Sequence, residues 1–284
     1  LPGAKVTIEI ASARGVSVGQ DCISPARHSA FSTPIELLQF IEQLRTLSGG
    51  KPTGFKLAIG HPWEFFAIVK AMLKTGITPD FIVVDGGEGG TGAAPVEFTD
   101  HVGTPLQEGL LLVHNALTGA GLRERIKIGA SGKIISAFDI AKTMALGADW
   151  CNSARGFMFA LGCIQSQSCH TDHCPTGVAT QDPLRQKALV VGDKTERVYH
   201  FHKNTLDALG HLICAAGLSH PAQLKPFHLV RRVSANQVKL VSTLLPFLDP
   251  GELLDPAQLG RMPPVFSYYW PRAQAESFAL LHLH

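Results

Sequence analysis

The sequence of 284 residues has little charge, since 17% of its residues are charged and a typical soluble domain has roughly 25%. Its 25 lysines and arginines nearly balance its 23 aspartates and glutamates, for a formal net charge of +2. This balance excludes the strongly basic surface of a nucleic-acid-binding or polybasic membrane-surface protein. Low charge together with 45% hydrophobic residues also excludes disorder, which combines few apolar residues with high net charge.

Long hydrophobic runs are also lacking. The most apolar stretch, residues 55–73, is interrupted by Lys56, Glu64 and Lys70, and it falls short of the roughly 18 uncharged apolar residues that cross a bilayer. The opening residues, 1–5, have no charged segment leading into an apolar core, so no signal peptide is predicted. Six cysteines are too few for a disulfide scaffold. We expect a cytoplasmic protein, and a membrane tether upstream of this chain is left open.

An alternation of strands and helices begins near residue 54. Short apolar runs that predict strands are each followed by a helical pattern, which indicates parallel βα units. The predicted strands are residues 54–59, 81–85, 126–129 and 148–154, and the helices between them start near Pro62, Pro105 and Ser136. Four such units are half of an eight-stranded barrel or most of a small open sheet. We favour the (β/α)8 TIM-barrel type because the polar loops described next follow the strand ends.

Two further segments set the expected domain organisation. Thr33 to Glu36 has the spacing of a capping box and opens a helix, and a long helical pattern runs from about Thr195 to Ala216. Beyond it the alternation is lost and prolines are frequent. We therefore predict a domain over residues 1–215 and a C-terminal extension over residues 216–284.

A glycine-rich loop, Asp85 to Pro95, follows the second strand. Gly87, Gly89 and Gly92 match G-x-G-x-x-G, but a dinucleotide fingerprint should open a helix, and here Pro95 leads into more loop. Three interpretations stay open: a nicotinamide site, a loop that lines a flavin or substrate, and a structural turn. We favour the second because glycines let backbone N–H groups approach a ligand closely.

Two later loops have the composition of a phosphate site. Residues 129–133 (Gly-Ala-Ser-Gly-Lys) follow the third strand, and residues 152–156 (Asn-Ser-Ala-Arg-Gly) follow the fourth. Loop amides and cationic side chains at neighbouring strand ends bind phosphate in barrel enzymes. Lys56 lies inside an apolar strand and is a candidate for stabilising negative charge on a reduced flavin. The alternative for these cations is a solvated or structurally paired side chain.

Three cysteines lie close together, with the spacing C-x5-C-x4-C-P. Cys163, Cys169 and Cys174, with proline after the last, have a spacing typical of iron–sulfur ligands. Three thiolates without an obvious fourth ligand indicate a three-iron cluster. A zinc site that recruits His170 or His173 is an alternative, and three unligated thiols are another.

These segments resemble the FMN-binding synthase domain of glutamate synthase, and more closely its stand-alone branch. The resemblance rests on the loops at 85–95 and 129–133, on the cysteine segment through Pro183, and on the opening residues 1–5 and 23–25. It covers roughly residues 1 to 215. It implies a (β/α)8 barrel that holds FMN and a 3Fe–4S cluster.

The resemblance also implies a reaction and a set of site residues. Ammonia and 2-oxoglutarate would form L-glutamate, with electrons from a donor protein; no nucleic-acid partner is expected. Glu88 and Lys56 are the candidate catalytic residues, and the cluster ligands are the three cysteines. The expected cofactor-binding residues are Lys56, Asp85, Gly86, Gly87, Ser131, Gly132, Lys133, Ser153, Ala154, Arg155 and Gly156.

The chain also departs from the family pattern. It corresponds to the second half of the barrel, so the N-terminal half is expected as a missing segment or a separate chain. No amidotransferase with an N-terminal cysteine is expected, and Gly60 to Trp63 does not resemble the stretch that contacts 2-oxoglutarate. Two alternative functions remain open: a non-catalytic assembly subunit, and a flavin oxidoreductase acting on another keto acid or amine.

Overall fold

A sheet of four parallel strands lies at the centre of the protein. The computed structural model describes residues 1–89, 97–98 and 100–281. The strands are β1 (Gly54–Ala58), β2 (Phe81–Asp85), β3 (Lys127–Ser131) and β4 (Trp150–Asn152). They pair in the order in which they occur along the chain, so all four carboxyl ends meet at one edge of the sheet. The predicted α/β class with parallel βα units is confirmed.

Helices alternate with these strands and continue beyond them. The helices of the described residues are α1 (Ile8–Arg14), α2 (Pro34–Leu47), α3 (Pro62–Thr75), α4 (Leu106–Gly119), α5 (Ala137–Ala145), α6 (Arg155–Leu161), α7 (Pro183–Gln186), α8 (Val191–Ala215), α9 (Val241–Leu244) and α10 (Pro264–Tyr269). None of them combines the length and apolar character needed to cross a bilayer. An antiparallel hairpin of β5 (Val230–Ser234) and β6 (Gln237–Leu240) lies between α8 and α9.

Local sequence signals set several helix boundaries. Helix α2 begins with a complete capping box between Thr33 and Glu36, and α5 begins with one between Ser136 and Asp139. In both, the N-cap hydroxyl accepts a backbone N–H that has no partner inside the helix. Helix α3 ends at Gly76, whose φ of 72° is the left-handed conformation that glycine adopts without steric cost.

The two faces of the sheet differ. Ile82, Val84, Ile128 and Ala130 are fully buried and belong to one hydrophobic core with the inner faces of α2 to α5. Side chains alternate along a strand, so the register places Lys56, Val83, Gly129 and Trp150 on the opposite face. Lys56 on that face is about half exposed. The helices therefore pack on one face, and the other face is open along β1.

The fourth strand is shorter than the expected 148–154. It ends at Asn152, because Ala154 already has helical backbone angles as the N-cap of α6. The Ser153 hydroxyl donates to the Ile134 carbonyl at 2.7 Å, which turns the chain out of the sheet. The chain after residue 216 packs on the same core, through buried side chains that include Leu253, Phe266 and Trp270.

Candidate functional site

A cavity of about 620 Å³ opens at the carboxyl ends of the four strands. Parallel α/β proteins build their ligand sites at this edge because loops from successive strands meet there. Ten of the predicted site residues line the cavity: Lys56, Asp85, Glu88, Ser131, Gly132, Lys133, Ala154, Arg155, Cys163 and Cys169. Gly86, Gly87, Ser153, Gly156 and Cys174 lie outside this lining. The sequence segments singled out separately thus meet at one place.

Lys56 and Asp85 form an ion pair across neighbouring strands. The register puts Lys56 opposite Val83, two residues before Asp85, and the Lys56 Nζ lies 2.8 Å from the Asp85 Oδ2. Both side chains line the cavity, with 53% and 24% of their areas exposed. The ammonium is therefore present at the cavity wall and its charge is partly compensated there.

Glu88 contacts the start of a helix. Its Oε2 and Oε1 accept the backbone N–H of Leu106, the first residue of α4, at 2.8 and 3.1 Å. A carboxylate at a helix N-terminus is stabilised by the unpaired N–H groups and by the helix dipole. The structure thus gives Glu88 a capping contact, and its predicted catalytic role stays a prediction.

The glycine-rich loop begins with a turn. After Asp85, Gly89 donates its N–H to the Gly86 carbonyl, and the next helix of the described residues begins at Leu106. Gly87 packs tightly, because a Cβ there would lie 2.5 Å from the Gly103 carbonyl oxygen. The described part of the loop, up to Gly89, forms this turn and not the first turn of the helix that a dinucleotide fingerprint opens. Residues 90–96, which include Gly92 of the motif, lie outside the described residues.

The loop after β3 adopts conformations that favour glycine. Gly132 has a φ of 146°, and a Cβ there would lie 3.2 Å from the Gly86 nitrogen; Lys133 has a φ of 49°. The Lys133 Nζ pairs with the Asp100 Oδ2 at 2.8 Å. Helix α5 begins beyond the loop, where the Ser136 hydroxyl accepts the Asp139 N–H and the Asp139 carboxylate accepts the N–H groups of Ile135 and Ser136. The groups of this segment that line the cavity are Ser131, Gly132 and Lys133, so an anion in the cavity would contact the loop.

Arg155 is a further cation of the cavity wall. It follows Ala154 as the first residue of α6, and it forms no ion pair with any residue that the structure describes. Two neighbouring residues that were predicted to bind the cofactor have structural contacts instead. The Ser153 hydroxyl donates to the Ile134 carbonyl, and Gly156 packs so closely on α8 that a Cβ there would lie 2.6 Å from the Phe201 ring. Arg155 is therefore the cavity cation whose charge is least compensated.

The cysteine segment forms another wall of the cavity, through Cys163 and Cys169. Cys174 is buried, which alone would raise the pKa of its thiol. Hydrogen bonds from the Thr176 hydroxyl and from the backbone N–H groups of Ala179, Thr176 and Val178 instead hold that pKa below its ordinary value. Within the described ranges, however, no three cysteine, histidine or acidic side chains come together as a metal site. The expected convergence of the three thiols is not observed, and their iron–sulfur role stays a prediction.

Sequence reasoning missed Lys5 as a site residue. Its side chain is 9% exposed, lines the cavity, donates to the Cys169 carbonyl and lies 3.7 Å from the Asp172 Oδ1. Lysine is almost never buried without a partner. The one sequence signal for Lys5 was its place in the Leu1 to Lys5 segment, which contributes to the family resemblance. That segment gives no indication of a contact with a residue more than 160 positions away.

Comparison with known proteins shows which family the chain belongs to. A family model described as a conserved region in glutamate synthase matches residues 1–219. The chain belongs to the glutamate synthase family. The glutamate synthase large subunit-like protein YerD of Bacillus subtilis is 45% identical over 243 residues, which are 86% of this chain and 46% of that protein. An archaeal glutamate synthase (NADPH) of Methanocaldococcus jannaschii is 37% identical over 226 residues, 79% of this chain and 44% of that protein.

The chain thus spans less than half the length of these two relatives. Among solved structures, this chain matches a flavocytochrome b2 mutant with pyruvate bound, with a sequence identity of 14% and a TM-score of 0.37. The match covers 76% of this chain and 40% of the flavocytochrome chain. That degree of superposition does not assign a barrel. Family membership therefore rests on the sequence matches.

Proposed function

We propose that this chain forms the FMN-binding part of a glutamate synthase-type oxidoreductase, which makes L-glutamate from 2-oxoglutarate and ammonia. The observation that carries the proposal is the cavity of about 620 Å³ at the carboxyl edge of the sheet, which Lys56, Lys133 and Arg155 all line, in a member of the glutamate synthase family.

The charge of the cavity suits an anionic cofactor and an anionic substrate. Its described wall carries four cations (Lys5, Lys56, Lys133 and Arg155) against two carboxylates (Asp85 and Glu88). A positive cavity with apolar walls attracts anions more strongly than the same charges would in water. Flavin phosphate and the two carboxylates of 2-oxoglutarate are ligands of this kind.

The residues fit FMN at the phosphate end. Ser131, Gly132 and Lys133 form a loop with φ values reaching 146° and 49°, in which backbone groups and an ammonium are available to a phosphate, and Arg155 faces the same cavity. An arginine can donate two parallel N–H bonds to phosphate oxygens. When bound, FMN would supply hydride transfer. Lys56, held by Asp85, would place a positive charge near the flavin ring, and Glu88 would hold the start of α4 beside it.

The iron–sulfur part of the proposal rests on the sequence alone. Cys163, Cys169 and Cys174 remain our candidates for 3Fe–4S ligands on their spacing. The described side chains do not form a three-thiolate group, so no step of the proposed reaction is assigned to a cluster. An electron donor protein is proposed on the same basis.

We further propose that the sheet is half of a (β/α)8 barrel, spanning residues 1–215, with residues 216–284 as an extension packed outside it. Strands in chain order with helices on one face are the arrangement of a barrel wall. A groove of about 640 Å³ follows β1, lined by Phe55, Ile59 and Phe65 among others. Among the residues that the structure describes, β1 pairs only with β2, and an unpaired strand edge with an apolar groove needs cover. The N-terminal barrel half, in the same polypeptide or as a separate chain, would supply it in a cytoplasmic enzyme.

The purified protein tests this function. Its absorbance spectrum should show a flavin, and protein reduced by dithionite should form glutamate from 2-oxoglutarate and ammonium. A flavin without glutamate formation, but with turnover of another keto acid or amine, would replace the substrate. Folded protein that binds no flavin would favour an assembly subunit and end the proposal.

A further inference from the structure

Lys5 joins two distant segments of the chain at the wall of the cavity. It lies in a short 3₁₀ turn, Gly3–Lys5, near the amino end, whereas its partners Cys169 and Asp172 lie in the cysteine segment. The Nζ donates to the Cys169 carbonyl and lies 3.7 Å from the Asp172 Oδ1. A buried ammonium costs free energy unless such partners are present, so this contact is maintained only if both segments are in place.

The partner of Lys5 organises the next part of the wall. Asp172 has a left-handed φ of 68°, its Oδ1 accepts the Gln181 N–H at 2.8 Å, and its carbonyl accepts the Thr180 hydroxyl at 2.5 Å. Cys169, Thr180 and Gln181 all line the cavity, as Lys5 does. One ammonium thus connects to a network that spans residues 169–181.

The turn that carries Lys5 is itself fixed. The Gly3 N–H donates to the Asp21 Oδ1 at 2.6 Å, and the Val6 carbonyl accepts the Gly19 N–H at 3.1 Å. Gly3 packs directly against the Gly19 backbone, which leaves no room for a side chain. Lys5 therefore reaches the cysteine segment from a rigid base.

We infer that Lys5 is a positioning residue, whose buried ammonium holds the cysteine-bearing segment 169–181 against the cavity. The role follows from geometry, and only its catalytic consequence rests on the proposed function: the part of the wall that carries Cys169 keeps its place beside the bound flavin and substrate.

Amide hydrogen exchange of the full chain, followed by mass spectrometry, tests the inference. A hydrogen bond to a charged group contributes about 10- to 150-fold to an equilibrium, so Lys5→Met should speed exchange in residues 169–181 by about that factor. Exchange in β2 and β3 should not change. Lys5→Arg, which keeps the charge and the donors, should restore most of the protection, and the exposed Lys51→Met should have no effect.

A second variant keeps the test decisive if Lys5→Met does not fold. Asp172→Asn removes the other end of the ion pair and should speed exchange in the same segment. Unchanged exchange in residues 169–181, or an equal rise throughout the chain, would overturn the positioning role. Hydrogen exchange of either variant requires no flavin and no turnover, so the result does not depend on the proposed function. If that function is also correct, Lys5→Met should lower kcat while the flavin content is unchanged.

Discussion

The phosphate end of the proposed flavin site gives a graded prediction for two cations. Arg155→Gln removes a guanidinium that forms no ion pair within the described part of the chain, so its whole charge is available to a phosphate. A charge-assisted hydrogen bond contributes about 1.5–3 kcal/mol, so FMN should bind about 10- to 150-fold more weakly. Lys133→Gln should cost less, because Lys133 must first leave Asp100, its partner at 2.8 Å. A partly exposed pair of this kind is worth about 0.2–1 kcal/mol, so the loss of FMN affinity should be smaller than that of Arg155→Gln by a factor of about 1.4 to 5.

Riboflavin, which has the same ring and no phosphate, separates this effect from a general loss of the site. Titration of flavin-free protein, followed by quenching of flavin fluorescence, should show riboflavin affinity within about twofold of the original in both variants. Arg125→Gln, on the short turn before β3 at the other end of that strand, is the matched control and should change neither affinity. Equal losses for FMN and riboflavin, or none for FMN, would refute the assignment of the phosphate to Arg155 and Lys133.

Three further predictions concern stability and are measured by urea denaturation. Leu110→Ala, at a fully buried position of α4, should lower the free energy of unfolding by about 2–5 kcal/mol. Leu73 is 39% exposed, so Leu73→Ala should lower it by well under half of that amount. Equal losses in the two variants would contradict the assignment of Leu110 to the core. Ser136→Ala should cost about 1 kcal/mol because it removes the N-cap of α5, and no loss would mean that the cap with Asp139 is not formed in solution. Burial, with Arg123 beside the ring, lowers the pKa of His114 to about 4. The unfolded chain therefore takes up this proton near pH 6.5 and the folded chain only near pH 4. The stability from neutral His114 should be complete above pH 6.5 and fall by about 3 kcal/mol towards pH 4, and an unchanged slope in His114→Gln would contradict this.

Local signals in the sequence predicted the sheet and many helix boundaries correctly. The capping boxes at Thr33 and Ser136 and the left-handed Gly76 act within one helical turn, so their effect does not depend on the rest of the fold. The end of β4 was wrong by two residues, because the side chain of Ser153 bonds to Ile134 in another loop, and a pattern along one strand carries no information about that contact.

The candidate site was predictable to the extent that strand ends determine it. The carboxyl ends of neighbouring parallel strands lie side by side whatever the conformation of the loops that follow. Lys56, Asp85, Lys133 and Arg155 lie at or near these strand ends, and they line one cavity. Lys5 was missed because its role depends on contacts with residues more than 160 positions away. For the cysteines, the sequence predicts more than the structure shows. Their spacing indicates a cluster, but no metal-binding group of three side chains forms among the described residues.

The flavin carried by the purified protein tests the central claim most directly. The account predicts that denaturation releases a flavin with the mass of FMN, and that flavin-free protein takes up FMN in preference to riboflavin, because Lys133 and Arg155 hold a phosphate. A folded protein that releases no flavin and takes up none when FMN is added, or one that selects FAD, would contradict it.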